Sequence, residues 1–189
     1  EDVKKGKIEG MNVTVPFKKS IIPFLDQLTI LAKEVQSVNT IFKKNNKVIG
    51  DNTDIGGFEQ SLKYINYSVK NKKIFVLGAG GVAPSIIVAL KKLGVSKIAL
   101  SNRTREKAEN LKKIYSQLEV VDWGKMTDFD MIINATSLGL KNTDEIKLNY
   151  NDFGSNKLFY DLIYNPNETN FFSKGKELGN KIENGKMMF

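Results

Sequence analysis

Three stretches of the chain concentrate residue types that could do chemistry. Lys18 closes the run Asn12-Val13-Thr14-Val15-Pro16-Phe17-Lys18, Asp54 closes Gly50-Asp51-Asn52-Thr53-Asp54, and glycines cluster at Gly78 to Gly81. The 189 residues include no histidine and no cysteine. Imidazole acid-base chemistry, Cys or His nucleophiles, disulfides and thiolate metal sites are therefore excluded, and proton transfer falls to Lys, Asp, Glu or Tyr. A lysine in a cleft gives or takes a proton when its surroundings adjust its pKa, and an aspartate can orient it and bind substrate hydroxyls. On residue type alone, Lys18 is first one more surface lysine, and Asp54 stands where a helix N-cap would stand.

The glycines make an anion site. The apolar run Ile74–Leu77 leads into Gly78-Ala79-Gly80-Gly81-Val82-Ala83, a G-x-G-x-x-A pattern, and on into an apolar helix through Ile86, Ile87, Ala89 and Leu90. Gly78 permits the tight turn, Gly80 leaves room for a phosphate, and Ala83 lets helix and strand approach. The N–H groups and dipole at the helix start favour a pyrophosphate, and Pro84 suits the first helical turn. A βα turn without ligand is the competing reading, and the flanking strand and helix weigh against it. About 20 residues after the glycines, an NAD enzyme usually offers a carboxylate to the ribose. Here the chain reads Ser101-Asn102-Arg103-Thr104-Arg105, with no acid before Glu106. Arg103 and Arg105 can pair with a 2′-phosphate, so NADP is expected over NAD, with Gly78, Ala79, Gly80, Gly81, Val82, Asn102, Arg103, Thr104 and Arg105 around it. Two surface arginines beside an N-cap Thr104 are the alternative.

These residues need elements to hold them. The alternating stretch Lys7 to Val15 predicts a strand stopped by Pro16, and Leu28 to Val35 has helical spacing. Strands at Thr40 to Lys44 and Lys47 to Gly50 flank a tight Asn45-Asn46 turn, and a helix runs from Asp54 to about Tyr67. After the polar break at Lys70 to Lys73 the pattern becomes βαβ: strands at Ile74–Leu77 and Lys97–Leu100, helices at Val82–Leu93 and Thr104–Tyr115. Further buried strands are predicted at Leu118–Val121, Met131–Asn134 and Leu158–Leu162, and a helix at Glu168–Leu178. The fold class is therefore α/β: a Rossmann dinucleotide-binding domain with a parallel sheet beside a smaller, incomplete α/β domain. The expected division is 1–67 for the substrate-binding, catalytic domain, 68–180 for the cofactor domain, and 181–189 for a segment starting back toward the first domain.

Composition narrows the partners. Hydrophobic residues are 41% and charged residues 26%, ordinary for a globular chain, and the net charge is +8. The lysines are scattered pairs, not one patch, and no basic stretch is interleaved with aromatics, so nucleic acid is not expected. No apolar run approaches the roughly 20 residues that span a bilayer, and the start Glu1 to Lys7 has no signal-peptide core, so no membrane partner and a cytoplasmic location are expected.

At the chemistry-bearing residues the chain resembles the shikimate dehydrogenases. The stretches that carry the likeness are GMNVTVPFK at 10–18, SVNTI at 37–41, GDNTDIGGF at 50–58, GAGGVAPS at 78–85, SNRT at 101–104, INATSLG at 133–139 and DLIYNPNET at 161–169. They span nearly the whole chain in the family's order. The resemblance implies reversible, NADP-dependent reduction of 3-dehydroshikimate to shikimate, on the route to chorismate and the aromatic amino acids. In it Lys18 is the acid-base residue and Asp54 its partner, and Thr14, Lys18, Asn39, Asp54 and Tyr164 meet the substrate. It further implies that Thr136, Leu162 and Gly185 lie near the nicotinamide, that no metal takes part, and that a homodimer is open. Tyr164 as a packed aromatic and Asn134-Ala135-Thr136 as a structural turn remain competing readings.

The family's usual Gly-Ala-Val-Asn-Thr is Gln36-Ser37-Val38-Asn39-Thr40 here. Members usually begin with a further half-domain that binds the substrate carboxylate, and continue past Gly185-Lys186-Met187-Met188 into a helix with a substrate-binding glutamine. Two alternatives follow: a quinate or dual-substrate dehydrogenase of the same family, and a catalytically impaired NADP-binding module with an incomplete substrate grip.

Overall fold

The computed structural model describes residues 1–188; Phe189, the last residue of the expected returning segment, and the side chain of Asn151 lie outside the described residues. A small sheet comes first, from β1 (Gly10–Asn12), β2 (Gln27–Leu28), β3 (Thr40–Lys44) and β4 (Lys47–Asp51), in the order β1-β3-β4-β2. The β3–β4 hairpin forms as expected, because Asn45 and Asn46 adopt φ of 50° and 58°, the left-handed pair that a two-residue turn needs. The first strand is shorter than Lys7–Val15. Gly10 to Asn12 pair with β3, and the Glu9 carbonyl accepts one more bond from the Lys43 N–H; residues 1–7 close local turns instead, and the Phe17 N–H turns back to the Thr14 carbonyl.

Helix α1 (Ile30–Val35) starts two residues later than the spacing suggested, since Gln27 and Leu28 pair with β4 and the Thr29 hydroxyl caps the helix by accepting from the Ala32 N–H at 3.3 Å. Helix α2 (Asp54–Tyr64) corrects the capping assignment. Thr53 is the N-cap, Asp54 is the first helical residue, and it is the buried Asn52 side chain that reaches the Ile55 N–H, at 3.4 Å. The helix stops short of Tyr67 because Asn66 turns left-handed, at φ 51°.

The large sheet comprises β5 (Lys73–Leu77), β6 (Lys97–Ser101), β7 (Leu118–Val121), β8 (Met131–Asn134), β9 (Leu158–Asp161) and β10 (Lys181–Asn184). Its order is β10-β9-β8-β5-β6-β7 and every pair is parallel. Helices α3 (Ala83–Lys92), α4 (Arg105–Ile114) and α5 (Asn170–Glu177) connect its strands. The central strands are continuous apolar runs, as parallel sheets covered on both faces demand, and α3 is buried from Ala83 to Leu90. Strand order reverses between β5 and β8, so their carboxyl ends open a crevice, the usual ligand position in such sheets. β10 was not expected; its Lys-Ile-Glu-Asn sequence is half-polar because it lies at the sheet edge.

The small sheet keeps a core of its own, Val38, Ile41 and Val48 with Ala32 of α1, while α2 packs on the large sheet. Phe58 and Leu62 of α2 join Ile86, Ile87 and Leu90 of α3 and the β-strand side chains beneath them. Phe58 meets Tyr160 edge to face at 5.3 Å, and the Tyr160 hydroxyl donates to the Ser61 hydroxyl at 2.7 Å. Residues Gly185–Met188 form a 3-10 turn that lies on α2 at Gly57, where a Cβ would strike the Met188 carbonyl.

Candidate active site

Lys18 and Asp54, 36 residues apart in sequence, meet in a buried ion pair. The Lys18 Nζ donates to Asp54 Oδ2 at 2.7 Å, and the residues are 8% and 1% exposed. Placement follows from the small sheet. The Lys18 carbonyl accepts from the Val38 N–H at 2.8 Å, which fixes the loop after β1 against the residues that lead into β3, Asn39 among them. Asn39 Nδ2 donates to the other carboxylate oxygen, Asp54 Oδ1, at 2.9 Å, while Asn39 Oδ1 accepts from the Thr53 N–H at 3.0 Å. Asp54 thus sits in the first turn of α2, where the helix dipole favours an anion, with both oxygens held by donors. Thr14 lies exposed on the same loop as Lys18, and Tyr164 is 47% exposed beyond β9.

Lys18 faces a cavity of about 410 Å³ that also touches Val15, Ala79, Gly80 and Gly81, so the acid-base candidate and the glycine turn border one space. A neighbouring cavity of about 530 Å³ runs along the turn, lined by Gly78, Gly80, Gly81, Val82, Asn102, Arg103, Thr104 and Thr136, among others. Gly78 stands at φ +107°, and a Cβ there would meet the Ala135 carbonyl at 2.8 Å, so only glycine fits. At Gly81 a Cβ would meet nothing within 4 Å, which is open room for a phosphate. Ala79 ties the turn to the end of β6. Its N–H donates to Asn102 Oδ1 at 2.9 Å, and Asn102 Nδ2 donates to the Thr104 carbonyl at 2.8 Å.

The cations are distributed differently from the expectation. Arg105 does not line the cavity; it is paired with Asp122, and with Glu109 at 2.9 Å, and these acids hold its guanidinium more firmly protonated. Lys107, which the sequence reading missed, lines the cavity beside Arg103 and Thr104. The i, i+4 spacing of Arg103 and Lys107 across the start of α4 was the available signal. Trp123 also lines it, at the end of β7, and was assigned no part in the site.

Behind the cavity wall lies a second buried carboxylate. Asp161 Oδ1 accepts from Asn134 Nδ2 at 2.9 Å and from the Ile163 N–H at 3.0 Å, and Oδ2 accepts from the Thr169 hydroxyl at 2.5 Å. Burial pushes the Asp161 carboxyl up to about 6, with these three bonds pulling it partly back. Asn134 Oδ1 in turn accepts from the Thr136 N–H at 3.0 Å and hydroxyl at 2.7 Å, which shapes the wall from Ala135 to Leu138. Leu162 and Gly185 lie outside both cavities and back to back: a Cβ on Gly185 would strike the Leu162 carbonyl. Among the described residues no group of three or more acids could hold a metal ion, and no helix is long and apolar enough to cross a membrane.

Known proteins share this fold. Residues 1–41 match the model of the shikimate dehydrogenase substrate binding domain, and residues 60–154 that of shikimate / quinate 5-dehydrogenase. The chain is 58% identical to the shikimate dehydrogenase (NADP(+)) of Pelagibacter ubique, over 100% of this chain and 71% of that protein. The crystal structure of shikimate dehydrogenase from Aquifex aeolicus superposes with a TM-score of 0.90 at 44% identity, covering 98% of this chain and 69% of that one. The Thermus thermophilus enzyme, solved with NADP(H) and shikimate, superposes with a TM-score of 0.89 at 30% identity, covering 99% and 70%.

Proposed function

The chain belongs to the shikimate dehydrogenase family, and from that premise we propose that it interconverts shikimate and 3-dehydroshikimate as an NADP-dependent oxidoreductase with Lys18 as its acid-base group. The observation that carries the role of Lys18 is its 2.7 Å bond to Asp54 on a cavity that also borders Gly80 and Gly81. The cavity fits NADP: the turn leaves space at Gly81 for a pyrophosphate, and Arg103 and Lys107, which among the described residues are engaged in no ion pair, line the same cavity and would serve a 2′-phosphate. Bound NADP supplies the hydride donor in one direction and the acceptor in the other. Lys18 gives a proton from Nζ to the oxygen of the carbonyl being reduced, and takes it back when the alcohol is oxidised. Asp54 aims that ammonium, and Asn39 keeps the carboxylate from turning.

Thr14 and Tyr164 complete the proposed substrate contacts, and Gly78, Ala79, Val82, Asn102, Thr104, Thr136, Leu162 and Gly185 the proposed cofactor surroundings. Ala79 acts in this reading through its bond to Asn102, while Leu162 and Gly185, which line neither cavity, are included on the family resemblance. The division into 1–67, 68–180 and 181–189 belongs to the same proposal, supported by the separate sheets of residues 10–51 and 73–184. So do a cytoplasmic location and a homodimer.

Shikimate-dependent NADP reduction by Lys18→Ala tests the mechanism. General acid-base catalysis contributes about 10²- to 10⁴-fold, so kcat should fall within that range while NADP still raises the melting temperature. Wild-type turnover in the variant would remove Lys18 from the chemistry. Rates with quinate, and with NAD, measured beside these, rank the substrates and cofactors.

A further inference from the structure

The cavity along the glycine turn has an aromatic wall that the reaction leaves unassigned. Strand β7 lies beside β6 in register, with Val121 opposite Ser101. Two residues beyond the carboxyl ends of these strands come Arg103 and Trp123, and both line the cavity. Residues Asp122 to Lys125 form a tight turn, closed by the Lys125 N–H on the Asp122 carbonyl at 3.0 Å, with Gly124 at φ +84° in its third position. The indole is half-buried, and away from the cavity it packs against the cluster that includes Phe75, Leu77 and Phe129. The turn is pinned from the other side, because Arg105, at the start of α4, is bonded to Asp122 and braced by Glu109.

The chemistry of NADP says what should lie there. Its 2′-phosphate and its adenine sit on adjacent carbons of one ribose, so a phosphate held by Arg103 and Lys107 brings the adenine within a few ångströms of them. Among the described residues lining this cavity, Trp123 is the aromatic one. We propose that Trp123 is the platform on which the adenine of NADP rests, and that Arg105 is a positioning residue that holds the platform through Asp122 instead of touching the phosphate. The inference rests on the reading of this cavity as the NADP site.

Trp123 is the only tryptophan in the sequence, so its emission reports this place alone. Excited beyond tyrosine absorption, the protein should lose or shift indole emission on titration with adenosine 2′,5′-bisphosphate, and equally with NADP, and should not respond to nicotinamide mononucleotide. Calorimetry run in parallel reports binding independently of the indole. Saturable NADP binding with unchanged emission would overturn the platform and leave the cavity reading standing. No NADP binding in calorimetry would overturn both. Base–aromatic stacking predicts about a tenfold weaker dissociation constant for adenosine 2′,5′-bisphosphate in Trp123→Ala. Trp123→Phe should recover most of the loss, with the KM for shikimate unchanged in both. Equal affinity in wild type and Trp123→Ala would also overturn it.

Discussion

At the scale of single residues, Asp161 is where burial and charge oppose each other most openly. Its carboxyl is raised from the ordinary 3.8 to about 6 by burial, so the folded chain holds the proton more tightly than the unfolded one. The sign follows from linkage. The group's contribution to stability is fully present below 3.8 and is lost as pH rises through 6, by on the order of 3 kcal/mol for a shift of about two units. Asp161→Asn can keep every bond: its oxygen accepts from Asn134 and Ile163, and its NH₂ donates to the Thr169 hydroxyl, which reverses. Thermal unfolding from pH 4 to 6.5 should show the variant gaining on wild type as pH rises; parallel curves would sink the assignment. At this scale residue type and local pattern made the glycine turn legible, whereas Lys18 and Asp54 were singled out by the family resemblance, residue type alone leaving them a surface lysine and a helix cap. Trp123 and the Asp122 partner of Arg105 depend on β7 lying beside β6, and nothing in the local sequence reports which strands are neighbours.

Elements were legible in proportion to how locally they are determined. Asn45-Asn46 supplies its own left-handed turn, and the βαβ rhythm after residue 73 needs only apolar periodicity. β10 and the short β1 are set by which partner is available, which is tertiary information. The placing of α2 is of the same kind. Its Gly57 lies directly under the Met188 carbonyl, so helix and returning turn approach closely only because that position has no Cβ. Gly57→Ala improves helix propensity by about 1 kcal/mol. That gain is opposed by overpacking against backbone, which typically costs about 1–3 kcal/mol and has no flexible side chain to yield. The net change should be destabilising, whereas Gly56→Ala, with nothing within 4 Å of its Cβ, should stabilise. Melting temperatures of the two variants that move in the same direction would show that the turn does not hold α2.

For the whole molecule the question is what sets the distance between the proposed acid-base pair and the proposed cofactor turn, which ride on different sheets. A small buried polar strap crosses between them. Ser37 Oγ donates to the Gly81 carbonyl at 3.2 Å, Asn52 Nδ2 donates to the Ser37 carbonyl at 3.0 Å, and Ser85 Oγ donates to Asn52 Oδ1 at 3.2 Å. Ser37 is two residues from Asn39, Asn52 two from Asp54, and Gly81 is in the turn itself, so the strap joins the backs of the two half-sites. Asn52→Leu keeps the volume and removes the amide, leaving the Ser37 carbonyl and the Ser85 hydroxyl buried without this partner, a cost of about 1–3 kcal/mol for each. At about 2–4 °C per kcal/mol for a chain of this size, the melting temperature should fall by several degrees. If the strap does no more than stabilise, turnover of the folded variant well below its melting point should match wild type. If it fixes the spacing of Lys18 and the cofactor turn, kcat should fall at least several-fold even there, because misplacement of about 1 Å can cost 10²-fold in rate. Affinity for adenosine 2′,5′-bisphosphate, which binds on the large sheet alone, should not change.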